Sequence, residues 1–361
     1  MIIKSIDLNN FRNYGLQSIE FDPHINILYG DNAQGKTNVL EAIYVNGTTK
    51  SHRSSKDFEM ISFDSDEAHL KSVVSKNDID YRIDMHLKKN RSKGIAINGV
   101  PIRKALDLYG IVNMVFFSPE DLGIIKNGPS QRRRFLDMEL CQLDKVYANN
   151  LLNYNKALDQ RNRLLKEIPY NKDLEDTVDI WNMQLATYGD EIIKRRDEFV
   201  DRINSVIRSI HLKLSGDKEE LSVKYEPSTE GDNLYRELTD NMAKDIRNKM
   251  TSVGPHRDDI SFNINDVDIR KYGSQGQQRT TALSLKLAEI EIVKIILGDT
   301  PILLLDDVLS ELDAKRQNCL LDSIHDIQTI ITCTGLDEFI NNRFGVNRIF
   351  KVSNGKVTRE N

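Results

Sequence analysis

The chain has 361 residues, of which 29% are charged and 39% hydrophobic, and a formal net charge of −5. That length suits two or three domains of a soluble globular protein, and the mild acidity leaves any contact with nucleic acid or an anionic membrane to a local basic patch. Cys141, Cys319 and Cys333 are widely spaced, odd in number and form no C-x-x-C pair, which predicts a reducing compartment and no zinc.

The N-terminus alternates in the manner of a strand rather than a leader peptide, and residues 2–9 and 18–28 read as strands. The apolar run Ile25–Tyr29 then meets Gly30, Asp31, Asn32, Ala33, Gln34, Gly35, Lys36 and Thr37, which fit G-x-x-x-x-G-K-[ST]. Residues 38–45, starting at Asn38, continue with helical spacing. Strand, glycine loop and helix in that order predict a phosphate-binding P-loop. Loop amides and the helix N-terminus cradle phosphates in such a site. Lys36 reaches the β/γ-phosphates, and the Thr37 hydroxyl sits on Mg²⁺.

A polar basic loop follows at residues 51–56, with Lys50 at its edge and His52, Arg53 and Lys56 inside it. Residues 68–75 and 79–88 alternate as two antiparallel strands around a turn at Lys76, Asn77 and Asp78. A second turn is expected at residues 98–101 and another strand at 111–117. The character changes after residue 121. From 130 to 168, and again from 174 to 210, apolar residues recur every three, four or seven positions on either side of Pro169. Two helical stretches of that spacing predict an antiparallel hairpin, each arm about 50–60 Å long. Mixed structure returns beyond Gly216, with strands at 221–225 and 260–264 and a helix at 233–249.

The C-terminal third supplies a metal carboxylate. Ile302–Asp306 is an apolar run ending in Asp306 and Asp307, the pattern of a buried strand that delivers an acid to Mg²⁺. Asp306 is the expected metal ligand, with Asp307 placed to orient the attacking water. Upstream, Gly273, Ser274, Gln275, Gly276, Gln277 and Gln278 open a helix expected to run to residue 297. The most apolar stretch, residues 290–305, is broken by Glu291, Lys294, Asp299 and Pro301, so no membrane span is expected.

Taken together, these motifs resemble the ABC-type ATPases of the SMC-like branch, and within it the RecF family of bacterial recombination mediators. The matching segments are F-R-N-Y at 11–14, G-D-N-A-Q-G-K-T-N at 30–38, K-S-H-R at 50–53 and F-S-P-E-D-L at 117–122. R-R-R-F-L-D at 132–137, G-P-H-R-D-D at 254–259, the G-S-Q-G-Q-Q signature and S-E-L-D at 310–313 complete the set. The resemblance implies an α/β P-loop NTPase of ABC type, an SMC-like head with a helical lobe carrying a short antiparallel arm. Residues 1–125 would form the N-terminal part of the head, 126–250 the helical lobe, and 251–361 the signature, Walker B and D-loop part. Lys36 and Asp307 would be catalytic, and Ser274, Gly276 and Gln277 would touch ATP bound to a second copy of the chain.

The resemblance further implies an ATP-dependent homodimer that binds double-stranded and gapped DNA. With RecR and RecO it would load the recombinase, as a weak DNA-stimulated ATPase of the cytoplasm and nucleoid. Two departures from the ABC pattern stand out. The switch histidine is missing, so Thr334 or a neighbour would take its place, and no Q-loop glutamine is evident near 117–121. The DNA-contact candidates are Lys50, Arg53, Lys56, Arg132 and Arg133, basic residues suited to phosphates rather than bases. For Arg132 and Arg133 the alternative is pairing with acids inside the lobe. A second functional reading, an SMC-like structural DNA clamp, calls for longer arms than this chain offers. A nuclease would need a further acidic cluster, and a phosphotransferase has no use for the signature.

Overall fold

The computed structural model describes residues 1–53, 56–229, 233–335 and 347–360, apart from the side chain of Glu311. Ser54, Ser55 and the Glu311 side chain, parts of the expected basic loop and D-loop, therefore lie outside the described residues. Two compact units are present, one made of Met1–Asp121 with Glu289–Asn361 and the other of Leu122–Ala288.

The first unit begins with β1 (Ile2–Phe11) and β2 (Tyr14–Glu20), followed by β3 (Ile25–Tyr29) and α1 (Lys36–Thr48). The single strand expected at 18–28 is two, because Pro23 lacks an N–H and the Asn26 side chain accepts from the Asp22 amide at 2.7 Å. Next come β4 (Glu67–Lys76), β5 (Ile79–Lys88), β6 (Arg91–Ile97), β7 (Val100–Ile102) and β8 (Met114–Phe117). The β4–β5 hairpin closes on Asn77 and Asp78, both at positive φ, the two-residue turn that matches strand twist. The other turn narrows to Asn98 and Gly99, with Val100 and Pro101 already in β7.

The second unit is mostly helical: α2 (Leu122–Lys126), α3 (Pro129–Leu143), α4 (Lys145–Glu167) and α5 (Val178–Ser215). Then follow β9 (Leu221–Glu226), α6 (Leu234–Asp240), α7 (Met242–Asn248), β10 (Asp259–Ile264), β11 (Val267–Asp268) and α8 (Ile269–Tyr272). The strand order of its small sheet is β11-β10-β9. The hairpin is α4 against α5, but its first arm is shorter than the apolar spacing predicts. Asp144 caps a new helix there, accepting from the amides of Val146 and Tyr147. At 23 residues α4 spans about 35 Å. The 38 residues of α5 carry buried side chains from Val178 to Leu214, so this helix packs along its whole length. Leu165, Ile168 and Val178 close the hairpin tip, with Met242 and Ile246 of α7 against them. The helix expected at 233–249 breaks at Asn241 into α6 and α7.

From α9 (Gln275–Leu297) the chain continues into β12 (Ile302–Asp306), α10 (Ala314–Ser323), β13 (Thr329–Cys333), β14 (Arg348–Ser353) and β15 (Lys356–Arg359). The first unit therefore holds two six-stranded sheets. One is antiparallel, ordered β2-β1-β4-β5-β6-β7; the other is ordered β15-β14-β3-β13-β12-β8. In the second sheet every pairing is parallel except β14 with β15. Its central strands are mostly apolar because both faces are covered, and β12 and β13 are buried at every position. Helix α1 touches β1, β4 and β5 of one sheet and β8, β12 and β13 of the other. It is buried on all sides from Val39 to Thr48, so apolar residues occur around its circumference and its buried polar side chains, such as Glu41, are partnered inside.

Candidate nucleotide-binding site

The P-loop is held open by two glycines whose backbones no other residue suits. Gly30 has φ 154°, and a Cβ there would run into the Val352 carbonyl on β14. Gly35 has φ 116°, and its Cβ would lie 2.6 Å from Asn13 Nδ2 and 2.8 Å from the Tyr14 hydroxyl. Those neighbours brace the loop from outside. Tyr14 donates to the Gly35 carbonyl at 3.0 Å, and Asn13 Nδ2 donates to the Gln34 carbonyl at 3.0 Å. The Asn354 amide reaches Gln34 Oε1 at 2.6 Å.

Asp31, Asn32 and Ala33 are exposed at the tip of this cradle, while Lys36 is buried. The Lys36 ammonium spans the loop, donating to the carbonyls of Gly30 at 2.6 Å and Asp31 at 2.8 Å. From the next position Thr37 donates to Asp306 Oδ1 at 2.9 Å, so α1 and β12 present a hydroxyl and a carboxylate side by side. Thr332 on β13 donates to the same Oδ1 at 2.7 Å and accepts from the Asp307 amide at 3.0 Å. Burial pushes the Asp306 carboxyl above its ordinary range, while hydrogen bonds from Thr332 and Thr37 oppose the rise. Asp307 adopts φ 53°, and Ser310 donates to its carbonyl at 2.8 Å. Hard oxygen donors next to a loop of amides fit Mg²⁺ and a polyphosphate.

The other motifs of the first unit support this arrangement. Arg12 clamps Glu41, a buried acid within α1, through two hydrogen bonds of 2.8 and 2.7 Å. Burial alone would raise the Glu41 pKa, but Arg12 and Ser51 together hold it below the ordinary carboxylate range. His52 stacks on Phe116 with ring centres 3.9 Å apart. Arg53 is exposed and donates to Asn38 Oδ1 at 3.2 Å, which puts it beside the first turn of the P-loop helix. Lys50 and Lys56 are exposed, and the Lys56 ammonium lies over the Phe58 ring.

The signature belongs to the second unit. Ser274 and Gln277 form a capping box at the start of α9: the Ser274 amide donates to Gln277 Oε1 at 2.9 Å, and the Gln277 amide donates to Ser274 Oγ at 3.2 Å. Ser274, Gln275 and Gly276 are exposed, and a Cβ on Gly276 would meet only Ser274 Oγ at 3.9 Å. Gln277 Nε2 donates onward to Glu219 Oε1 at 2.9 Å. Glu219 Oε2 lies 3.3 Å from His211 Nε2, and His211 Nδ1 lies 2.8 Å from Ser284 Oγ on α9. A polar relay thus ties the signature turn to the end of α5.

One basic candidate is corrected by its surroundings. Arg132 is buried and paired with Asp259 at 2.6 and 3.0 Å, so it is not a surface contact for DNA. Arg133 is half-buried and donates to the Asp258 carbonyl at 2.7 Å. Asp258 accepts from Arg196 at 3.2 Å, from the Ser228 amide at 2.8 Å and from the Tyr225 hydroxyl. His256 sits between the Tyr154 hydroxyl at 2.7 Å and the Thr251 carbonyl at 3.1 Å, and burial pushes it down to about 4. G-P-H-R-D-D is the hub of a buried network that ties α3, α4 and α5 to β10. Thr332, Asn13 and Tyr14 are the supporting residues that motif reading did not assign. Thr332 lies within the strand singled out for a switch residue, whereas Thr334 is exposed beyond its end.

The chain matches the family model of the RecF/RecN/SMC N terminal domain over residues 2–358. It is 62% identical over 357 residues to the DNA replication and repair protein RecF of Agathobacter rectalis, covering 99% of each. With the protein of the same description from Lachnospira eligens it shares 60% over 363 residues, covering 100% of each. Among solved structures it resembles the recombination mediator protein RecF with ATP in the RecFOR pathway, at TM-score 0.93 and 38% identity over 99% of this chain and 97% of that one. The Smc head domain of Pyrococcus furiosus bound to the C-terminal domain of ScpA is similar in fold alone, at TM-score 0.56 and 17% identity over 99% of this chain and 96% of that one.

Proposed function

Because the chain belongs to the RecF proteins of the RecF/RecN/SMC N-terminal domain family, we propose that it is an ATP-dependent DNA-binding protein of recombinational repair and replication restart. Its working form is a homodimer assembled by ATP, which binds duplex next to single-stranded gaps and acts with RecR and RecO to load the recombinase. The observation that carries this reading is the Thr37–Asp306 hydrogen bond, which brings the P-loop and the acid at the end of β12 together next to Lys36 in sequence and supports one polyphosphate site.

Lys36 exchanges its two loop carbonyls for β/γ-phosphate oxygens, and the loop amides bind the rest of the chain of phosphates. Thr37 and Asp306 would hold Mg²⁺, which when bound would offset the charge that builds on the phosphates. Asp307 orients the attacking water, its backbone fixed by Thr332 and Ser310. An aspartate is shorter than the glutamate usual at this position, which favours slow hydrolysis that resets a switch. The exposed Ser274 and Gly276 turn, with Gln277, supplies donors to the γ-phosphate of ATP on a second copy. ATP then favours the dimer by differential affinity for it. Lys50 and Lys56 offer phosphate contacts that are indifferent to sequence, and Arg53 beside Asn38 is placed to respond to nucleotide.

The test compares wild type, Lys36→Ala and Ser274→Arg for ATP hydrolysis and sedimentation, with and without gapped DNA. Lys36→Ala should lose nucleotide binding; Ser274→Arg should keep it and lose dimerisation. A wild-type chain that stays monomeric at full ATPase activity, or that ignores DNA, contradicts the proposal.

A further inference from the structure

Away from the nucleotide site, the β4–β5 hairpin carries two histidines directly opposite each other. His69 and His86 are partners in the antiparallel register, with rings stacked at 3.8 Å between centres and 23° between planes. Glu67 lies two residues before His69, and strand alternation places it on the same face. The opposite face carries the buried Ala68, Leu70, Met85 and Leu87, so the three polar side chains stand on the outer side of the sheet. Glu67 Oε2 lies 3.0 Å from His86 Nε2, and one donor atom from each of the three residues falls within 4.8 Å of the others. On the far side of His86 its register partner is Gly94, where a Cβ would meet nothing within 4 Å. The approach to the pair over β6 is therefore unobstructed by a side chain.

We propose that Glu67, His69 and His86 form a surface site for a divalent transition ion, with Zn²⁺ as the expected occupant. Two imidazole nitrogens and one carboxylate oxygen are the donor set of open zinc sites, which leave a fourth position for water or an outside ligand. Mg²⁺ and Ca²⁺ prefer oxygen shells, so the nucleotide site and this one sort ions by donor type. Bonds of about 2.0–2.2 Å place tetrahedral donors about 3.3 Å apart. His69 is exposed, and the side-chain exposure of His86, 31%, and of Glu67, 50%, leaves both rings and the carboxylate room to turn toward that spacing. The ion would take the place of the Lys88 ammonium, which lies 3.2 Å from Glu67 Oε2. Because the backbone register sets the spacing of the donors, binding should need side-chain rotation only.

Full-length chain is titrated with Zn²⁺ by calorimetry in saturating Mg²⁺, which occupies Thr37 and Asp306, and separately with Co²⁺ by visible absorption. Wild type should bind one Zn²⁺ that His69→Ala and His86→Ala lose, and Glu67→Gln should weaken it. Losing a direct ligand should weaken binding by no less than the roughly tenfold to hundredfold typical of an outer-shell partner. Co²⁺ should give the intense bands of a low-coordinate site in wild type and none in the histidine variants. Melting temperatures without metal check that these exposed substitutions leave the fold intact. Zn²⁺ stoichiometry and affinity unchanged in both histidine variants, or Co²⁺ bands that persist in them, overturn the assignment.

Discussion

Thr332 lies between the two acids of the site, its hydroxyl donating to Asp306 Oδ1 at 2.7 Å while accepting from the Asp307 amide at 3.0 Å. One buried hydroxyl on β13 thus holds both acids, the proposed metal carboxylate and the proposed orienter of the attacking water. Thr332→Val keeps the shape and removes both bonds, leaving an amide without its acceptor. Urea unfolding should show a loss of about 1–3 kcal/mol. ATP turnover should fall more than ATP affinity, because the Asp307 backbone loses its anchor. Equal losses in both would show that Thr332 acts on the fold alone.

Gly35→Ala tests the cradle. At φ 116° with Asn13 and Tyr14 against it, the new methyl has no place to go. A residue forced into such backbone costs about 1–3 kcal/mol before any clash. Nucleotide binding, followed with a fluorescent ATP analogue, should be lost while circular dichroism stays native.

Glu219 is expected to position the signature through Gln277, an expectation that rests on the proposed dimer. Glu219→Ala should weaken ATP-driven dimerisation by about tenfold, the equivalent of about 1.4 kcal/mol, with nucleotide affinity of the monomer unchanged. Glu219→Gln retains a carbonyl for Gln277 Nε2 and should restore most of the effect. Sedimentation at graded ATP concentrations separates the cases, and an alanine variant that dimerises like wild type rules out this role.

The half-buried His256 gives a pH signature. His256 is pushed down to about 4 by burial, against 6.5 in the unfolded chain. Between those values the unfolded state binds more protons, so stability contributed at this position is present above pH 6.5 and is lost as pH falls toward 4. The full difference is about 3 kcal/mol. His256→Gln should flatten the pH dependence of unfolding free energy over that window. Parallel curves for the two proteins would mean that other groups carry the loss.

Arg132 and Lys56 should separate cleanly. Arg132→Ala leaves Asp259 with the Arg270 guanidinium at 3.1 Å and the Ile260 amide at 2.8 Å, and should destabilise the fold by about 3 kcal/mol in a denaturant melt. Lys56→Ala should leave stability within about 0.5 kcal/mol. It should also lower the slope of DNA affinity against salt by about one. A stable Arg132→Ala variant with weakened DNA binding would return that arginine to the surface set.

The nucleotide site was the most legible part of the sequence, because a P-loop is local: two glycines, a lysine and a threonine within eight positions after an apolar strand. Asp306 was legible for a similar reason, an acid at the end of a run that only a buried parallel strand explains. The break at Asp144 was harder. Apolar spacing runs through Leu140, Leu143 and Tyr147 without a gap, and only the side chain that caps the new helix marks it. Arg132 was ambiguous because its partner lies 127 residues away. A cluster of arginines reads as a solvated face until the acids that bury it are in place. A gap of 26 residues was enough to hide Thr332, whose hydroxyl looks like any strand threonine until β12 lies beside it.

Helix α1 sits between two sheets and is buried on all sides from Val39 to Thr48, and its first two residues, Lys36 and Thr37, are the ones proposed to hold phosphate and Mg²⁺. Such a mounting behaves like a pier set in masonry. Forces applied at the loop pass into β1, β4 and β5 on one side and β8, β12 and β13 on the other, with little give in the helix itself. A nucleotide bound as proposed would then be met by exchange of side-chain partners at the edge of the loop, those of Lys36 and Arg53, rather than by travel of the helix that carries it.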